Sequence, residues 1–117
     1  MNIEVSNGDF FDRMSILEIK VARLTDPGKV MHARKELEVY LQKSGSLSLD
    51  YINDPDYIKL KQINETLWDI EDSIRKKEKL REFDEVFISL SRSIYQLNDE
   101  RFNCKNRLSK KTQSDLY

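Results

Sequence analysis

The sequence predicts an all-α fold, an antiparallel bundle of about four helices, on three observations. The 117 residues include only three Gly and two Pro, too few turn-formers for many short strands. Apolar residues recur at spacings of three and four over long stretches, the period of a helix face. A Ser or Asp suited to capping stands ahead of each of those stretches.

Residues 2–5 (NIEV) read as an extended entry or a short strand. Ser6 then suits an N-cap, with Asp9 as its capping-box partner. The first helix carries Phe10, Met14, Leu17, Val21 and Leu24 on one seam, and Phe11 and Ile19 widen it into a broad buried stripe. Thr25-Asp26-Pro27-Gly28 ends that helix and starts the second, because proline at the first helical position gives up only an N–H that would be orphaned anyway. The second helix is expected to run to about Ser44, to bury Val30, Ala33, Leu37 and Tyr40 or Leu41, and to stop at Gly45.

Residues 46–54 (SLSLDYIND) form the one long connection. Leu47, Leu49, Tyr51 and Ile52 make it too apolar for a free linker, so it should pack on the bundle or on a partner. Asp54-Pro55 opens the third helix, whose seam is Leu60, Ile63, Leu67, Ile70 and Ile74 and which frays near Glu82. The fourth opens at Asp84 or just before it, with Phe87, Leu90, Ile94, Leu97, Arg101, Cys104 and Leu108 on its seam. Helices three and four, the long ones, are expected to form a long central hairpin. Residues 1–117 read as a single helical domain with 109–117 as a frayed tail.

Composition excludes several classes. Charged residues make up 35% and apolar ones 38%, too much patterned apolar content for a disordered chain. Net charge is −1, so nucleic-acid binding is not expected; the acid-free run Arg101, Lys105, Arg107, Lys110 and Lys111 reads as the cationic end of a helix. No apolar run approaches the roughly 20 residues that span a bilayer. The N-terminus has no signal-peptide pattern and the lone Cys104 forms no intrachain disulfide, so a cytoplasmic protein is expected.

Catalytic and metal sites are not expected. His32 sits on a charged helix face, Cys104 lies on an apolar seam without a histidine near it, and no phosphate-loop, dinucleotide or HExxH motif is present. No cofactor is implied. Arg101 is the informative residue, because it holds a seam position that calls for Leu or Ile. A buried guanidinium needs a carboxylate, a ligand anion or solvent. Long polar side chains edge the apolar stripes of helices one, three and four. The best reading is a non-enzymatic protein that binds an anionic, nucleotide-like small molecule there. Lys20, Arg75, Arg92, Arg101 and Lys105 would supply positive charge, Trp68 and Tyr95 flat faces, and Asn98 an amide that donates and accepts. Glu71 is counted with these ligand-binding residues, and Glu18, Asp72 and Asp99 would orient the basic groups.

The alternative is an adaptor module in which the same residues are a structural ion-pair network and Glu71 and Asp99 neutralise Arg101. A chorismate-mutase-like helical enzyme is the enzymatic rival; the residue types are present, but that family's motif is not. A homodimer is also expected, because the apolar loop together with Phe11, Tyr40 and Tyr57 exceeds what four such helices readily bury.

Three stretches carry a resemblance. EVSNGDFFDRMSILEIK at residues 4–20, LWDIED at 67–72 and SRSIYQLNDER at 91–101 match, in order and spacing, the pattern VSxGExxDKxTILEIK, LWxIED and ARxVYxxNDxR. Asp9 stands for Glu, Arg13 for Lys, Ser91 for Ala and Ile94 for Val. In these motifs the chain resembles a family of small bacterial proteins known as a domain of unknown function, DUF6165. The resemblance implies no activity. It implies that Glu18, Lys20, Trp68, Glu71, Asp72, Arg92, Tyr95, Asn98, Asp99 and Arg101 are motif positions.

Overall fold

The computed structural model describes residues 6–112. Four helices follow one another: α1 (Asn7–Arg23), α2 (Pro27–Ser44), α3 (Pro55–Leu80) and α4 (Glu85–Lys111), with one 3-10 turn, Gly45–Leu47, after α2. The described residues contain no strand, and the extended entry expected at 2–5 lies outside them.

Each helix starts where local chemistry satisfies its first N–H groups. Ser6 Oγ accepts from the Asp9 N–H at 3.0 Å, and the Asp9 carboxylate returns to the Ser6 backbone, closing the capping box. Asp26 accepts from the Lys29 N–H, and Asp84 from the Phe87 N–H, both at 2.9 Å. Asp54 accepts from two N–H groups, those of Asp56 and Tyr57. The helix ends differ from expectation at one point. Gly45 keeps right-handed helical angles (φ −58°, ψ −29°) and the chain winds on through the 3-10 turn, so Ser48, at φ 52°, makes the left-handed stop instead. α3 closes on Arg81, also left-handed, with the Arg81 and Glu82 N–H groups bonded back to the Glu78 and Lys77 carbonyls.

The core joins Phe11 and Met14 of α1, Tyr57, Leu60, Ile63 and Leu67 of α3, and Cys104 and Leu108 of α4. α3 and α4 form the long hairpin, and α1 lies against α2, α3 and α4 together, which is why its buried stripe is so wide. Among the described helices and turn, α2 packs on α1 and the 3-10 turn, and it buries Ala33 and Ser44 fully. Val30, Leu37 and Tyr40 are half-buried, and Leu41 is exposed.

Most of the apolar side chains that suggested a dimer pack within the chain. Phe11 and Tyr57 are core residues meeting edge to face, Tyr51 packs on Tyr57, and Tyr40 stacks on Phe10 at 4.8 Å. Leu47, Leu49 and Tyr51 bring the connecting loop onto the core, while Ile52 stays in solvent. The tail also differs from expectation. α4 is helical through Lys111, and Ser109 is buried with its hydroxyl accepting from the Gly8 N–H at 2.8 Å, so 109–112 is anchored. Residues 113–117 of the expected tail lie outside the described residues.

α1 bonds to α3 as far as Asp69 and to α4 from Arg101 onward. Beyond those points the hairpin continues as two helices alone. Its seam there (Ile70, Ile74, Leu90, Ile94, Leu97) is only half-buried, since two helices cannot enclose a seam. Among the described residues no helix is long and apolar enough to cross a membrane.

Candidate functional site

The seam arginine does find a carboxylate, and it is neither of those expected. Asp12 of α1, 6% exposed, holds Arg101 in a two-pronged pair, Nε to Oδ1 at 2.8 Å and Nη2 to Oδ2 at 2.5 Å. Asn64 of α3 donates to Asp12 Oδ1 at 3.0 Å and to Ser15 Oγ at 2.8 Å, and the Ser15 hydroxyl donates to the Asp12 carbonyl. Three helices thus meet in one closed polar cluster, and among the described residues every buried side-chain polar atom has a partner. The hydrogen bond to Asp12 outweighs burial and holds the Arg101 pKa above its ordinary value. Glu71 adds only longer-range attraction to Arg101. Asp99 points into solvent with no side-chain partner among the described residues. Asp12, Ser15 and Asn64 escaped the sequence reading, although Asp12 and Ser15 share the stripe of Gly8, Phe11 and Ile19 at steps of three and four.

The expected ligand residues are scattered over the surface rather than gathered in one site. Lys20, Trp68, Glu71 and Arg101 line one small groove between α1, α3 and α4, of about 240 Å³ with Asn64 and Leu67 in its wall. Arg92 and Tyr95 line a separate hollow on α4 of about 500 Å³ with Phe87, Ile88, Ser91 and Gln96. Arg75 and Asp72 sit on exposed α3, 3.9 Å apart and i,i+3 along the helix. Lys105 is held by Asp9 at 2.6 Å at the start of α1, a contact that keeps the Asp9 carboxyl below its ordinary range. Asn98 is exposed near Asp99. Glu18 belongs to yet another hollow, accepting from the Tyr57 hydroxyl and pairing with Lys61 at 3.3 Å. A cleft between α1 and α2, about 490 Å³, shares Lys20 with the first groove and adds Arg13, Lys29 and His32 over Leu17, Leu24 and Ala33. Arg13 there is bound to Glu36 at 3.1 Å.

Cys104 is wholly buried, and burial pushes its thiol above the ordinary range. Among the described residues no three His, Cys, Asp or Glu side chains come together as a metal set.

The most unusual surface is the outer side of α4. Ile88, Tyr95 and Phe102 are 52%, 76% and 61% exposed, and each follows the last by seven residues. Seven residues are nearly two helical turns, so the three form a second apolar stripe distinct from the seam that faces α3. Ser91 and Asn98 lie between them. Arg92 and Asp99 flank the stripe, and neither has a side-chain ion pair or hydrogen bond among the described residues.

Fold and site together define a small all-α protein with an internally neutralised arginine and an uncovered helix face. The chain belongs to a family of unknown function, DUF6165, whose model matches residues 1–117. Comparison with curated proteins and with solved structures finds no match.

Proposed function

We propose that the protein is a non-enzymatic helical interaction module that docks the outer face of α4 onto another helical surface. The observation that carries this reading is the exposed stripe Ile88, Tyr95 and Phe102 with Arg92 and Asp99 unpaired beside it. Contiguous exposed apolar side chains edged by charge mark interaction surfaces, and Tyr and Arg are among the residues that carry most binding energy there. The Arg101 cluster supports the same reading from the other side, because Asp12 already neutralises the guanidinium and leaves no net charge for a ligand. A cytoplasmic setting fits a lone, buried cysteine that needs no oxidising compartment.

A photo-crosslinking amino acid at position 95 tests the reading in cells. Position 95 is expected to give discrete crosslinked products, while Arg34, exposed on α2, gives none. Equal labelling at both positions, or none at 95, would remove the basis for docking.

One observation favours a second reading, the binding of an anionic, nucleotide-like small molecule. Lys20 stands on the wall shared by the 240 Å³ groove and the 490 Å³ cleft, and its ammonium has no partner among the described residues. Trp68 offers a stacking face beside it. Thermal-shift titration with nucleoside diphosphates and pyrophosphate is expected, on this reading, to raise the melting temperature of the wild type and not of Lys20→Met. No rise with any of them would end it.

A further inference from the structure

We infer that the partner of the α4 face is a second copy of this chain, docked antiparallel about a two-fold axis at Tyr95. The inference rests on the docking reading above and names its occupant.

An isologous interface needs one patch that carries both halves of every contact. The α4 face does. With Ile88, Tyr95 and Phe102 as the a positions of a seven-residue repeat, Ser91 and Asn98 are the d positions, and Arg92 and Asp99 are both e positions. In an antiparallel helix pair the e positions of the two helices face each other. A two-fold axis at Tyr95 sets Ile88 opposite Phe102 of the second copy and stacks the two Tyr95 rings. It sets Arg92 opposite Asn98 of the second copy, one residue from its Asp99. Each unpaired arginine thereby meets an unpaired aspartate, twice per dimer. A parallel pairing in register would leave each Arg92 level with the other Arg92 and bring it no opposite charge.

The small d residues admit a neighbouring helix. The Ser91 hydroxyl already donates to the Phe87 carbonyl at 2.9 Å, so covering it strands no donor. From Ile88 to Phe102 the stripe runs about 21 Å at the helical rise. That is shorter than an obligate interface requires, so the dimer is reversible and concentration-dependent in the micromolar range.

Sedimentation velocity of the purified full-length chain, from low micromolar to sub-millimolar, tests this. The wild type is expected to move from monomer to twice the monomer mass. Arg92→Asp and Asp99→Arg should each weaken self-association about tenfold at low salt, because each replaces two attractions with two repulsions. The double variant carrying both changes should return to within about threefold of wild type, since the charges match again with exchanged signs. Tyr95→Arg should keep the chain monomeric. All these positions are exposed, so a melting temperature equal to that of the wild type at a dilution where both are monomeric confirms that each monomer is folded. A wild type that stays monomeric throughout, a dimer that no α4 substitution weakens, or a double variant that fails to recover would overturn the inference. If the purified chain is monomeric while position 95 still crosslinks to a different protein in cells, docking stands and the second copy falls.

Discussion

Replacing Gly8 with Ala should destabilise the protein, against the usual direction for a helical glycine. Helix propensity alone favours Ala by about 1 kcal/mol. At Gly8, however, a Cβ would lie 2.2 Å from the Lys105 carbonyl oxygen, 2.7 Å from the carbonyl carbon and 2.8 Å from Ser109 Oγ. The first two belong to the α4 backbone and cannot swing aside, so α1 must lift away from α4. Lifting strains the Gly8 N–H bond to Ser109 and loosens Phe11 against the core. Overpacking of this kind costs about 1–3 kcal/mol and the strained hydrogen bond about 1 more, so after the propensity gain the net loss is about 2 kcal/mol. For a domain of this size that lowers the melting temperature by roughly 8 °C, measurable by circular dichroism or urea titration. Gly45→Ala is the control. Gly45 has right-handed helical angles and nothing within 4 Å of its would-be Cβ, so Ala there should stabilise by about 0.4–1 kcal/mol. A Gly8→Ala protein as stable as the wild type would refute the close approach of α1 to α4.

Three further outcomes are expected. Asp12→Ala should cost about 3 kcal/mol in urea titration by stranding the Arg101 guanidinium, whereas Asp12→Leu with Arg101→Met should recover most of that loss; equal losses would show that Asp12 does not neutralise Arg101. Acid should weaken the fold. The Lys105 hydrogen bond holds the Asp9 pKa low, and at Asp56 burial pushes up but hydrogen bonds from Lys111 and Arg107 outweigh it. Folded values below the unfolded one, about 3.9, mean that this stability is present above that pH and lost as pH falls through the folded values. Asp56→Asn should therefore lower the urea midpoint at neutral pH, and its effect should shrink as pH falls from the unfolded value through the folded one; an effect that does not change with pH would contradict the pairing. The Cys104 thiol should react with an aromatic disulfide reagent only when the fold opens, so its rate should rise with urea; prompt reaction in native buffer would count against its burial.

Local and periodic features were legible in the sequence. Ser6, Asp26, Asp54 and Asp84 cap the helices they precede, because capping depends only on the next three residues. The seams were legible because burial on one face imposes its period. The polar cluster was half legible. Arg101 on an apolar seam announced the need for a carboxylate, but Asp12 lies 89 residues away, and spacing along α4 says nothing about which helix supplies it. The scatter of the ligand residues followed from helix arithmetic. Arg92 precedes Arg101 by nine residues, which at about 100° per residue puts it on the opposite side of α4. The second stripe went unread because its members Ile88 and Phe102 alternate with Ser, Arg and Asn, a pattern that resembles a solvated face until Tyr95 is counted with them. The aromatic surplus was overestimated because α1 contacts three helices rather than two and so buries Phe11 beside Met14.

Backbone amide NMR spectra recorded on a dilution series of the labelled protein test most directly whether the outer face of α4 docks onto a second copy of the chain. Concentration-dependent shifts are predicted at Ile88, Ser91, Arg92, Tyr95, Asn98, Asp99 and Phe102, with the Trp68 indole, in its groove beside Lys20, unmoved. Spectra that do not change with concentration, or shifts gathered around Trp68 and Lys20 instead, would contradict the account.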